Sequence, residues 1–391
     1  MIRRAFSLSL AVAAALTLSA QDLTITNVRI IGPDVSVIEN GSIVIEDGRI
    51  TSVVGGAPGR TTGQVIDAGG MTAMPGFIDG HRHINTGPNE AVQMQALLEA
   101  GYTTVMSGGG PGPGNLTLRE HIDSGQINGP RVIPTGSIRL GRGQTPETAR
   151  AAIREMSEMG LQWTGEIALT PVPGPSAQEI EILKAIVDEA SKVGVTVQVH
   201  AVSTPAMLAA VDAGVKRLVH LPNKDFMSKA DAEKVAAAGT MITGTVGFGV
   251  PVFGVFADDN QPRFRDGRPW PESIVDGVRL GEEAGYMPVN ARTAWDAGVV
   301  LGYCTDTNYN PTKGLEHELR SNSLVFSPRD LVKMMGPNTA AYIKMEDDLG
   351  TIEPGKLADI VLLDGDPLEG YWNWIKAKVV IKGGEVVVDK R

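Results

Sequence analysis

Met71-Thr-Ala-Met-Pro-Gly-Phe-Ile-Asp-Gly-His-Arg-His83 is the stretch whose reading decides the fold. An apolar run leads through Gly76, Phe77, Ile78 and Asp79 into two histidines with one residue between them. On a β-strand, residues i and i+2 share a face. His81 and His83 at the end of one strand can therefore grip a single metal ion, with Arg82 turned away. A His-x-His pair also arises by chance on ordinary strands. Its meaning depends on whether the rest of the chain supplies further ligands in order.

Downstream of this stretch, short apolar runs recur at 103–106, 131–134, 164–169, 195–199, 216–219, 240–245 and 299–303. Helical patterns separate most of them, at 90–100, 145–159, 177–192, 205–213, 229–238 and 288–297. Counting the run into His81, the strand–helix alternation repeats about eight times, which indicates an α/β fold with a closed parallel (β/α)8 TIM-like barrel. An open doubly wound sheet is the competitor. No Gly-x-Gly-x-x-Gly follows the first strand, which counts against it.

The two chain ends read differently. Residues 22–31 and 35–55 alternate apolar and polar, with Asp47-Gly48 as a hairpin turn. Residues 357–363 and 379–388 do the same, with Lys382-Gly383-Gly384 as the turn. Residues 21–75 and 350–391 are expected to form one small β-sandwich domain, with the barrel, 76–349, inserted between them.

The chain has 391 residues, 42% hydrophobic and 20% charged, enough for a large domain plus a small one. A net charge of -10 argues against a nucleic-acid partner. Arg3 and Arg4, an apolar run over 5–18 and Ser19-Ala20 have the form of a secretory signal. Residues 1–20 are expected to be removed and the mature chain exported, into a periplasm; a retained N-terminal anchor is the alternative. No later run is long enough to cross a bilayer. The single cysteine, Cys304, allows no disulfide within the chain. The expected partner is a small-molecule substrate, and a homo-oligomer is compatible with the sequence.

In such a barrel the chemistry sits at the C-terminal ends of the strands. The first strand ends in His81 and His83, the fourth carries Glu166, the fifth and sixth end in His200 and His220, and the eighth ends in Asp306. Four of the six histidines thus end expected strands. Each has a plainer reading: a hydrogen-bonded core histidine at 200 or 220, a loop carboxylate at 166, a turn cap at Asp306. As an ordered set they suffice for two divalent cations. Nitrogen and carboxylate ligands without thiolate suit zinc, and also iron, manganese, cobalt or nickel. Two such ions can share a hydroxide of lowered pKa and polarise a carbonyl. His121 and His317 are expected at the surface or behind the ligands.

With these residues in view, the chain resembles the amidohydrolase superfamily, in its imidazolonepropionase-related branch. The resemblance rests on Pro75–His83, His200, His220, Asp306 and the run Leu349-Gly-Thr-Ile-Glu-Pro-Gly-Lys-Leu-Ala-Asp-Ile-Val-Leu-Leu-Asp364. Many relatives carry a bridging lysine on the fourth strand. Gly165-Glu166-Ile167 stands there instead, as in an enamidase-like subgroup, which the segment from Thr103 to Gly114 also resembles. The resemblance implies that His81, His83 and Asp306 hold one metal, that His200 and His220 hold the other, and that Glu166 bridges. It implies that Asp306 is also the general base and then acid.

The expected reaction is hydrolysis of a C–N amide bond by metal-bound hydroxide, in a cyclic amide, lactam or related substrate. Rivals are a Xaa-Pro-type dipeptidase, an esterase, lactonase or carbamate hydrolase and, less favoured, a deaminase. The non-enzyme rival is a periplasmic binding protein that has lost catalysis. Ser107, Gly108–Gly110, Tyr309, Asn310 and Lys313 are the expected substrate contacts, with Arg82 either in contact or in a salt bridge. The aromatic-rich loop 247–275 is expected to cover the site.

Overall fold

The computed structural model describes residues 22–141, 143–249, 278–307 and 310–391. The expected signal at 1–20, Tyr309 and most of the expected covering loop lie outside these residues.

The chain begins with β1 (Leu23–Ile31), β2 (Val37–Glu46), β3 (Arg49–Gly55), β4 (Gln64–Asp67) and β5 (Thr72–Pro75). Asp47 and Gly48 both adopt positive φ, 50° and 75°. That matches the twist of the hairpin they close between β2 and β3.

After Gly76 the chain enters eight mutually parallel strands. They are β6 (Phe77–Arg82), β7 (Tyr102–Ser107), β8 (Arg131–Ile133), β9 (Trp163–Ala168), β10 (Thr196–His200), β11 (Arg217–Val219), β12 (Met241–Gly244) and β13 (Leu301–Tyr303). Between them lie α1 (Glu90–Glu99), α2 (Gly112–Asp123), α3 (Pro146–Glu158), α4 (Ala177–Val193), α5 (Thr204–Asp212), α6 (Lys229–Ala237) and α7 (Val278–Asp296), and α8 (Pro311–Asn322) follows β13. The helices start where the sequence supplies caps. Ser176 and Glu179 form a reciprocal capping box at α4, and Gly194 ends that helix in the left-handed region at φ 73°. Ile182, Leu183 and Ile186 on its inner face are buried.

The parallel strands pair in two runs, β6-β7-β8 and β9-β10-β11-β12-β13. A continuous ring of ladders was the expectation. At the junctions a few backbone bonds replace a ladder: between β8 and β9, Gly136 N donates to Trp163 O at 3.1 Å and Gly165 N to Gly136 O at 2.7 Å, and between β6 and β13, Asp306 N donates to His81 O at 2.9 Å.

β14 (Ile360–Leu363), β15 (Ala377–Lys382) and β16 (Glu385–Asp389) complete the chain. They join the first five strands in one eight-stranded sheet, ordered β16-β15-β14-β5-β1-β2-β3 with β4 on β1. Strands from both chain ends therefore pair directly, β14 antiparallel to β5. The expected β-sandwich region is paired throughout as one sheet, whose apolar side chains, among them Ile25, Ile43, Ile45, Ile360 and Val379, cluster together fully buried.

One helix expectation needs correction. Residues 288–297 were expected as a separate helix beginning at its proline. The helix instead runs from Val278, with Pro288 inside it. After the Gly/Pro-rich stretch that follows Ser107, α2 starts at Gly112, with Pro113 in its first turn, where a missing N–H costs nothing.

Candidate metal centre

His81, His83, Glu166, His200, His220 and Asp306 come together at one end of the parallel strands. They form two groups, in each of which ligand atoms lie within 4.8 Å of one another. One is His81, His83, Glu166 and Asp306; the other is Glu166, His200 and His220. Glu166 belongs to both. Its Oε2 lies 2.7 Å from His200 Nδ1, 3.2 Å from His220 Nε2 and 3.7 Å from His81 Nε2, and its Oε1 lies 3.6 Å from His83 Nε2. Asp306 Oδ1 is 2.9 Å from His83 Nε2 and 3.4 Å from His81 Nε2, while its Oδ2 is 3.7 Å from His220 Nε2.

Backbone conformation helps to aim these side chains. His220 and Asp306 both sit at positive φ, 68° and 51°. Such angles are uncommon without glycine and cluster at functional positions. At both residues the strand turns sharply. Gly108 is a glycine for a related reason: a Cβ there would stand 2.9 Å from His81 Nε2 and 3.2 Å from His83 Cε1.

The side chains fit a cation. His81 is wholly buried, and among the described residues neither of its ring nitrogens makes a hydrogen bond of good geometry; the buried Asp306 Oδ1 faces only the ring nitrogens of His81 and His83. Buried polar atoms are normally satisfied. Burial works against ionisation of Glu166, but the His200 and His220 contacts outweigh it and hold the carboxyl well below the usual range. Burial likewise opposes ionisation of Asp306, and His81 and His83 overcome it. Burial pushes His220 down, toward the neutral imidazole that a metal ligand needs. At His81 burial also acts downward, yet the Asp306 and Glu166 carboxylates prevail and its pKa is raised. Two carboxylates facing four imidazoles are thus arranged as an anionic, nitrogen-rich pocket.

Residues without any spacing signal stand behind the ligands. Thr245 Oγ1 lies 2.7 Å from His220 Nδ1, which leaves Nε2 for the site. Asp79, fully buried, bonds to both ends of the β6–β13 junction. Glu318 and His317, neighbours on α8, hold the turn after β12. Glu318 accepts from Val246 N and Gly247 N, each at 2.7 Å, and His317 Nε2 lies 2.7 Å from Gly247 O.

The expected substrate contacts are placed unevenly. Ser107 is fully buried, and its hydroxyl closes a turn with Ile84 O and Gly109. That engagement argues against a substrate contact. Gly109 and Gly110 line an open cleft with His83, Asn85 and Gln93. Asn310 caps α8 by accepting from Lys313 N at 3.0 Å. Arg82 is buried, donating to Thr305 Oγ1 at 3.1 Å and lying 3.8 Å from Asp79 Oδ2, so the salt-bridge reading applies. His121 pairs with Glu90 of α1 at 2.6 Å, away from the ligands.

The amidohydrolase family pattern matches residues 72–387. This chain belongs to the amidohydrolase family. Its sequence is 23% identical to an imidazolonepropionase of Caldanaerobacter subterraneus, over 90% of this chain and 91% of that protein. It is 26% identical to the imidazolonepropionase of Geobacillus kaustophilus, over 91% and 92%. The enamidase of Eubacterium barkeri is 30% identical over 42% of this chain and 45% of its own. A putative prolidase from Bifidobacterium longum has the same fold, with a TM-score of 0.77 at 24% identity over 95% of this chain and 97% of that one. The amidohydrolase thus has, among its relatives, enzymes named imidazolonepropionase and enamidase, and it brings together a His/Glu/Asp group that could hold a metal ion.

Proposed function

We propose that this amidohydrolase binds two divalent ions, most simply zinc, and hydrolyses a cyclic amide or lactam. One observation carries the reading: the Glu166 carboxylate is common to both ligand groups. A single carboxylate within reach of two clusters is the geometry of a bridge. When bound, divalent ions lower the pKa of water and polarise a carbonyl oxygen. His81 and His83 with Asp306 would hold one ion, and His200 and His220 the other. Asp306 contacts His81, His83 and His220 and so lies at the centre of the cluster. Its carboxylate would take the proton of the attacking water and return it to the leaving nitrogen, as base and then acid.

The choice of a ring amide follows the two relatives whose names denote such enzymes, an imidazolonepropionase and an enamidase. We further infer that the two parallel runs close into one barrel, that residues 1–20 direct export to a periplasm, and that the end sheet is a domain of its own. Fractionation with N-terminal sequencing tests the export.

The reaction is tested by assaying lactams, imidazolones, Xaa-Pro dipeptides and esters with the metal-loaded and the chelated protein. Chelator-sensitive turnover of a ring amide is expected. Preference for a Xaa-Pro dipeptide would replace the substrate assignment. Identical behaviour with and without metal would remove the mechanism.

A further inference from the structure

Among the described residues, Asp79 is the carboxylate that touches the backbone at both His81 and Thr305, next to Asp306. It is wholly buried on β6. Its Oδ1 accepts from His81 N at 3.2 Å and from Thr305 N at 3.1 Å, and its Oδ2 accepts from the Thr305 hydroxyl at 2.5 Å. The Thr305 hydroxyl in turn accepts from Arg82 Nη1 at 3.1 Å and from Thr307 at 3.3 Å. These bonds span 226 positions of sequence. They lie where β6 and β13 meet without a ladder, held by Asp306 N donating to His81 O. They also lie immediately before Asp306, whose φ of 51° must be imposed by its surroundings.

We propose that Asp79 is a positioning residue, a strut that ties the Thr305–Asp306 turn to the strand carrying His81 and so sets the spacing of ligands from opposite ends of the barrel sequence. The proposal rests on the metal-centre reading above. Without the strut, one backbone bond fixes the junction, and Asp306 can relax toward an ordinary conformation. Its oxygens then move relative to His81 and His83. Thr305 is the other half of the device: its hydroxyl donates to Asp79 while receiving the Arg82 guanidinium. The buried Asp79 charge is balanced by that guanidinium at 3.8 Å.

The test uses the full chain, loaded with zinc or with cobalt(II). Thr305→Val removes the hydroxyl and keeps the N–H bond, Thr305→Ser restores the hydroxyl, and Asp79→Asn removes the charge at constant shape. Thr305→Val and Asp79→Asn are expected to weaken zinc binding, measured by competition with a chelating dye, by about 10- to 100-fold, the usual effect of losing a group behind a metal ligand. The visible absorption of the cobalt-loaded protein should change in both, while Thr305→Ser keeps the wild-type affinity and spectrum. Because the two groups act as one unit, the double variant should bind zinc no more than slightly worse than either single one. If Asp79→Asn does not fold, the Thr305 pair decides alone. A folded Thr305→Val protein with wild-type zinc affinity and cobalt spectrum overturns the role of Asp79 and leaves the metal centre standing. A wild-type chain that takes up neither ion overturns the metal centre, and the strut with it.

Discussion

At the residue scale the decisive side chains are Asp306 and Glu166. Asp306→Asn keeps a ligand oxygen but cannot carry a proton. It should retain much of the metal and lose at least about 100-fold in kcat; near-normal turnover would refute the assigned role. Glu166→Ala should purify with at least one ion fewer than wild type, measured by elemental mass spectrometry. Full occupancy would mean that Glu166 does not bridge. The six polar residues now found together were readable because each ends or lies on an apolar run, where a histidine or carboxylate stands out. Asp79, Thr305 and Thr245 were not. Asp79 and Thr305 are 226 positions apart, and a threonine on a strand is ordinary until its partner is known. A polar residue at a strand end can also close a turn, and the Ser107 hydroxyl does so here.

At the element scale α8 connects the Asp306 loop to the turn that follows β12. Burial pushes His317 down to about 4 and Glu318 up to about 8. The His317 shift has a definite sign. A histidine whose pKa is lower folded than unfolded contributes its full stability above the unfolded value, near 6.5, and loses it as pH falls toward about 4. Between those values it should contribute about 1.4 kcal/mol of lost stability per pH unit. Denaturant unfolding of the metal-free protein across this range should therefore be steeper in pH for wild type than for His317→Gln. Equal slopes would show that His317 is not held neutral. α4 was legible because its capping box, its apolar face and its terminal glycine agree. The start of α7 was not, because proline favours a first turn and here tertiary packing places it inside a helix. α2 had no expectation, because glycines and prolines at its onset carry no helical pattern.

At the scale of the whole molecule, the end sheet and the parallel strands share one buried apolar cluster, which includes Ile31, Met74, Val361 and Val380 with Phe77 and Tyr102, and specific bonds also cross between them. Arg131 of β8 pairs with Asp359 at 2.8 Å, and Asp359 O accepts from Gly76 N at the entry to β6. Burial opposes the Arg131 charge, but Asp359 outweighs it and its pKa is raised. Arg131→Met leaves the nearly buried Asp359 carboxylate without that partner. It should destabilise the protein by up to about 3 kcal/mol, read from denaturant unfolding. No measurable loss would mean that the pair does not couple the two parts. The strand–helix alternation and the two β-rich ends were legible from periodicity, which is local. How the strands join was not. The two runs of ladders, and the pairing of strands from both chain ends in one sheet, depend on contacts between residues far apart in the chain.

The central claim is a two-metal amidohydrolase site, and metal stoichiometry tests it most directly. The mature protein would be purified without chelator and its zinc, iron, manganese, cobalt and nickel counted per chain by elemental mass spectrometry. The account predicts about two ions per wild-type chain, two being the number of ligand groups that share Glu166. One ion would contradict the bridge. No ion, after expression with each metal supplied in turn, would contradict the centre itself.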